Sequence, residues 1–367
     1  MTTYPNPSGS IVGDVVQQLA ALGARFDAAP LFPRESLAIL MDAGLHRRFA
    51  PALAGGEAFA DPIARNDALA QALRRVGRGD LSIGRLFEGH VNALLLFDWY
   101  ATADQLGWLD HVLGAGAWFG VWATEQAPGV RLDQDGTTLA GAKTFASGAG
   151  GLDYALVTVA PSEGARRLAI VRANEVERTD LSGWRVRGMR ASLSGRYDLS
   201  GLGIASDMWL GEPGDYDRDP RFTAGAWRFC AVQLGGVEAL LSETISALSS
   251  PARADPLQRA RLADFYTATR TAGFWVAGAS RRAADDDEDA IAVARLARGV
   301  VERTALDGME ASARLLGTRS AFDGERVDKI IRDLSLYLRQ AGPDHARDAA
   351  AHALLAHDIW PVEDRLW

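Results

Sequence analysis

The sequence predicts an α+β chain in three parts: an N-terminal helical domain (1–119), a middle antiparallel β-domain (120–215) and a C-terminal helical bundle (216–367). Two observations carry the prediction. Apolar residues recur at helical spacing in the first and last thirds. Between them glycine becomes frequent and the apolar runs shorten into strand-like stretches parted by turn residues. At 367 residues the chain is long enough for two or three packed units.

In the first third, Val15, Leu19, Leu22 and Phe26 share one helical face, as do Leu37, Leu40, Met41 and Leu45. Pro30 and Pro33 punctuate the join. The segment 80–96 reads as a helix that runs into Ala93-Leu-Leu-Leu-Phe97, apolar enough to be buried on most sides. The middle third offers strands at 154–160, 168–171 and 196–200, with turn clusters at Asp135-Gly136, Ser162-Glu-Gly164 and Leu181-Ser-Gly183. Too little helix separates these strands for a parallel doubly wound unit, and no GxGxxG follows a strand. In the last third, helices are expected at 224–248, 257–284, 290–316 and 324–339, with another after Pro343. The run Asp285-Asp-Asp-Glu-Asp289 reads as a solvated turn whose later members favour the next helix N-terminus.

Composition narrows the function classes. The net charge of −8, from 39 basic and 47 acidic residues without a basic run, argues against nucleic acid. A lone cysteine, Cys230, excludes an internal disulfide and a cysteine metal site. No apolar stretch suits a membrane span, and the N-terminus has no signal-peptide pattern, which fits a cytoplasmic enzyme. His352 and His357 lack a carboxylate at ligand spacing, so no metal is expected.

Two short motifs are the most informative. Trp122-Ala-Thr-Glu125 is followed by Lys143-Thr-Phe-Ala-Ser-Gly148, and the pair resembles the middle domain of the acyl-CoA dehydrogenase superfamily. The order helices, β-domain, helical bundle resembles that fold along nearly the whole chain. So do Gly235-Gly-Val-Glu-Ala-Leu240, Arg314-Leu-Leu-Gly317 and Lys329-Ile-Ile-Arg-Asp333. The resemblance implies bound FAD. Val121 and Ala123 would lie along the flavin ring, Phe145 would wall it, and Thr124 and Ser147 would donate to it. Arg314 and Gly317 would meet the partner subunit's FAD, so a homodimer or homotetramer is implied.

The chemistry departs from the family pattern. A dehydrogenase needs a carboxylate to take a proton beside a thioester. The family's usual position for it, nine residues after Arg332, holds Ala341, and the alternative region Thr223-Ala-Gly-Ala-Trp-Arg228 has no carboxylate either. The loop Gln126-Ala-Pro-Gly-Val130 lacks the family's serine, and Arg253 lacks its companion phenylalanine. His345, His90 and Asp344 are the remaining acid/base candidates, and each has a plainer role: surface residue, hydrogen-bonded core histidine and N-cap, respectively. Arg332-Asp333 reads equally as a structural ion pair. The expectation is an FAD-binding oxidoreductase acting on an acyl thioester such as acyl-CoA, or a related small molecule, with a non-standard base and an electron-transfer partner or flavin reductase. The alternatives are a monooxygenase fed reduced flavin by a separate reductase, or a non-catalytic fold relative.

Overall fold

The computed structural model describes residues 8–134, 136–161, 164–287, 289–340 and 342–356. Among the described residues six α-helices come first: α1 (Ser8–Ala28), α2 (Arg34–Asp42), α3 (Leu45–Arg48), α4 (Pro62–Gly79), α5 (Leu81–Tyr100) and α6 (Ala103–Gly114). Their starts obey capping rules. Asp61 and Asp80 accept from Ala64 and Ile83 backbone N–H groups, and Thr102 with Gln105 forms a reciprocal capping box on α6. Asp80 therefore caps α5 and separates it from α4. As its composition predicts, α5 is buried almost throughout, between the β-domain and the C-terminal helices.

Nine strands follow among the described residues: β1 (Phe119–Trp122), β2 (Arg131–Leu132), β3 (Leu139–Ala140), β4 (Ala142–Ala146), β5 (Tyr154–Val159), β6 (Arg167–Arg172), β7 (Thr179–Asp180), β8 (Gly195–Asp198) and β9 (Trp209–Leu210). They form a four-stranded sheet of order β1-β5-β6-β9, a three-stranded sheet of order β4-β8-β7 and the β2-β3 pair. The pairings within these sheets are antiparallel except that β1 runs parallel to β5. β1 is thus an edge strand of the larger sheet.

The two sequence motifs meet inside this domain. Lys143 is fully buried, and its ammonium pairs with Glu125 and donates to Thr158 Oγ1 at 2.8 Å. Glu125 Oε2 also accepts from the Val130 backbone N–H at 3.1 Å, which folds the loop 126–130 back on the pair. Gly129 has φ of +81°, a left-handed conformation that favours glycine.

The C-terminal helices are α7 (Arg221–Ala224), α8 (Trp227–Ala247), α9 (Ser250–Ala254), α10 (Pro256–Arg282), α11 (Ala290–Leu316), α12 (Arg326–Tyr337) and α13 (Pro343–Ala356). Gly235 sits where α8 crosses α4: a Cβ there would lie 2.1 Å from the Arg74 carbonyl. Arg332-Asp333 proves to be a tie between all three parts of the chain. Lys329 bridges Asp80 and Asp333 at 2.7 and 2.6 Å, Asp333 accepts from the Met189 N–H at 2.5 Å, and Arg332 pairs with Asp27 at 2.8 Å. Among the described residues no helix is long and apolar enough to cross a membrane.

Candidate functional site

A cleft of about 780 Å³ opens among α5, the end of β1, the α7–α8 junction, α11 and α13. Helix α5 gives it Arg85, Glu88, Asn92, Leu96 and Trp99, positions three or four apart that make one stripe. The end of β1 gives Val121, Ala123 and Thr124, and the opposite side gives Arg228 and Phe229 from α8 and Arg295 and Arg298 from α11. Gln340, Gly342 and His345 close the rim.

The floor is a polar chain. Arg85 pairs with Glu88, whose side chain is only 4% exposed. Asn92 Nδ2 donates to Glu88 Oε1, and Asn92 Oδ1 accepts from Arg228 Nε, each at 2.5 Å. Among the described residues six arginines line the cleft (Arg85, Arg166, Arg221, Arg228, Arg295 and Arg298) against two carboxylates, Glu88 and Asp348. Arg166 is held by Asp217 and Arg221 by Asp286. Arg298 donates to the Gln340 carbonyl and lies over the Phe229 ring at 5.4 Å. Burial lowers the Arg228 guanidinium to about 10 and raises the Tyr216 phenol above its ordinary value.

Of the residues singled out in the sequence, Val121, Ala123, Thr124 and His345 line this cleft, with Thr124 and His345 exposed. Asp344 does not. It lies within the first turn of α13, exposed and paired with Arg347 at 2.7 Å, rather than capping the helix. Ala341 and His357 fall outside the described residues, and His352 is exposed.

His90 requires a correction. It is fully buried, Nε2 donates to the His46 carbonyl at 2.8 Å, and Nδ1 accepts from the Phe119 N–H at 3.1 Å. Both ring nitrogens are therefore committed and the ring is neutral. Burial, with the stacked His46 ring 5.0 Å away, pushes its pKa down to about 3. It is a core histidine and does not reach the cleft.

Phe145 is not part of the cleft lining. A bulge between Lys143 and Ala146 leaves it 64% exposed with φ of +52°, an uncommon conformation for an aromatic residue. Ser147 is buried, and its proton is already assigned. Ser192 Oγ donates to the Met189 carbonyl at 2.8 Å, so Ser194 must donate to Ser192 and Ser147 to Ser194, each at 2.9 Å. Ser147 Oγ is left as an acceptor, where the sequence reading made it a donor. Arg314 is exposed and paired with Glu310 at 2.6 Å, and Gly317 ends α11 at φ of +61°. Cys230 is fully buried, and burial pushes its thiol up to about 12, which leaves it inert.

Sequence reading missed the arginines, Asn92 and the role of Glu88. The signal was present in part: Arg85, Glu88 and Asn92 recur at helical spacing on a segment that is otherwise apolar.

Comparison with known proteins agrees with this architecture. The family model for the acyl-CoA dehydrogenase C-terminal domain matches residues 219–348. No curated protein sequence matches the chain. TdsC from Paenibacillus sp. A11-2, solved with FMN and indole, superposes with a TM-score of 0.84 at 19% identity over 95% of this chain and 96% of that one. Methanesulfinate monooxygenase MsuC from Pseudomonas fluorescens gives 0.80 at 18% identity, over 96% and 97%. KijD3, solved with FMN and a dTDP-linked amino-keto sugar, gives 0.74 at 20% identity, over 97% and 96%. The whole length of the chain therefore has an acyl-CoA dehydrogenase-like fold, and residues 219–348 are similar in sequence to that family's C-terminal domain.

Proposed function

We propose that the chain is a flavin-dependent oxidoreductase that receives reduced flavin from a separate reductase and oxygenates a small organic molecule. The observation that carries this reading is the state of the buried carboxylate in the cleft. Glu88 is tied by Arg85 and Asn92, so it is not a free base for abstracting a proton beside a thioester. Position 341 is alanine. The cleft itself suits a flavin: its volume and apolar walls accommodate a flat ring, and β1 presents Val121, Ala123 and Thr124 at a sheet edge. Ser147 lies outside the cleft lining; a ring that reaches it would meet an acceptor-only hydroxyl, which would favour the reduced form, since that form carries an extra N–H donor where the oxidised ring has an acceptor. A bound reduced flavin would supply the electrons that activate dioxygen. His345, at the rim, would hold or move a proton there.

Phe145, exposed outside the cleft lining, would wall the part of the ring that extends past the cleft, and Arg314 and Gly317 would meet the flavin of a second subunit in a homodimer or homotetramer. FMN, bound in TdsC and KijD3, and FAD, implied by the family resemblance, are distinguished by titrating both. The test of the reaction is anaerobic. Straight-chain acyl-CoAs should leave the flavin band of the FAD-loaded protein unbleached. With reduced flavin and air, the protein should change the rate at which the flavin is reoxidised. Rapid anaerobic bleaching by an acyl-CoA would overturn the reading in favour of a dehydrogenase.

A further inference from the structure

We propose that the cleft selects an organic anion, and that Arg228 is the residue that anchors its oxyanion group, a carboxylate, sulfonate or phosphate. The inference takes from the flavin reading only the premise that a substrate enters this cleft. A guanidinium carries five N–H donors. Among the described residues, Arg228 uses one of them, Nε toward the neutral Asn92, and pairs with no carboxylate. Its terminal donors remain available at the cleft wall. The backbone makes room for them, since a Cβ at Gly225 would lie 2.3 Å from an Arg228 terminal nitrogen.

Three further observations point the same way. Arg295 is half-buried at the cleft with no ion-pair partner among the described residues. The buried carboxylate of the cleft, Glu88, is in direct contact with Arg85 and Asn92 and acts on Arg228 only at a distance, so no carboxylate pairs with its terminal donors among the described residues. Leu96, Trp99 and Phe229 wall the same space, which suits a hydrocarbon or aromatic body attached to the anion. Fixed cations beside apolar walls discriminate an anion from its neutral isostere, because a neutral ligand would desolvate the guanidinium without pairing it.

The phosphate of a flavin mononucleotide is a second source of the same chemistry, so the test has separate arms. Binding of benzenesulfonate and of its neutral counterpart benzenesulfonamide is measured calorimetrically on flavin-free, full-length protein, wild type, Arg228→Gln and Arg295→Gln. Reduced FMN and reduced riboflavin are titrated in parallel. The expected result is at least tenfold preference for benzenesulfonate in the wild type. That preference should be lost in Arg228→Gln and reduced in Arg295→Gln, with the FMN-to-riboflavin ratio unchanged. Equal binding of the two benzene derivatives, or an anion preference that survives in a folded Arg228→Gln, overturns the proposal. Loss of FMN-over-riboflavin preference in Arg228→Gln also overturns it, by assigning the arginine to the cofactor. If the wild type binds the sulfonate but no flavin, the anchor stands and the flavin reading fails alone.

Discussion

Replacing His90 with glutamine should remove a large part of the protein's acid sensitivity. His90 is neutral in the fold because its proton sits on Nε2, facing the His46 carbonyl, while Nδ1 accepts from Phe119 N–H. A second proton on Nδ1 would oppose that N–H. The pKa falls from 6.5 to about 3. The sign follows from proton binding. The unfolded chain takes up the proton first as pH falls, so stability is intact above 6.5 and is lost progressively as pH drops toward 3. Each pH unit inside that window costs about 1.4 kcal/mol, so the wild type should lose about 2 kcal/mol from this residue between about pH 8 and pH 5. Glutamine can donate to the His46 carbonyl and accept from Phe119 without titrating. Urea unfolding of both proteins at both pH values reads the difference. His46, whose pKa is also lowered by burial, contributes to both proteins. Parallel pH dependences for wild type and variant would refute the assignment of His90 as a neutral core group.

Other outcomes follow from the same contacts. Lys143→Met should destabilise the β-domain by about 3 kcal/mol, because it strands Glu125 in a partly buried site, and Glu125→Gln in the same chain should recover part of the loss, read by urea unfolding. Ser194→Ala should free the Ser147 proton and shift flavin preference toward the oxidised form by roughly 3–10-fold, consistent with one hydrogen bond of about 1 kcal/mol, read by anaerobic titration. Phe145→Ala should weaken flavin binding while leaving thermal stability nearly unchanged, since the ring is exposed and its backbone strained. Unchanged flavin affinity in that variant would place the ring elsewhere.

Much of the architecture was legible because it rests on local periodicity. The long helices α8, α10 and α11 fall within a few residues of the expected spans, and the strands β5, β6 and β8 lie where alternating or short apolar runs placed them. The parallel pairing of β1 with β5 was not legible, because strand direction is set by a connection that composition does not encode. The motif residues Glu125 and Lys143 were recognisable, but their mutual ion pair is a long-range contact. The same limit applies to the site. Arg228 and Asn92 lie 136 residues apart in sequence yet share a hydrogen bond. His90 looked reactive because histidine titrates near neutrality, and only packing against His46, Trp118 and Phe119 reveals that both its nitrogens are taken.

The most direct test of the central claim is the affinity of the purified protein for flavin in its two redox states, measured anaerobically with FMN and with FAD. The proposed contact of the ring with the acceptor-only Ser147 predicts that the reduced form of at least one of them binds roughly 3–10-fold more tightly than the oxidised form. Equal affinity for the two states would contradict the reduced-flavin mechanism, and no binding of either state would contradict a flavin function altogether.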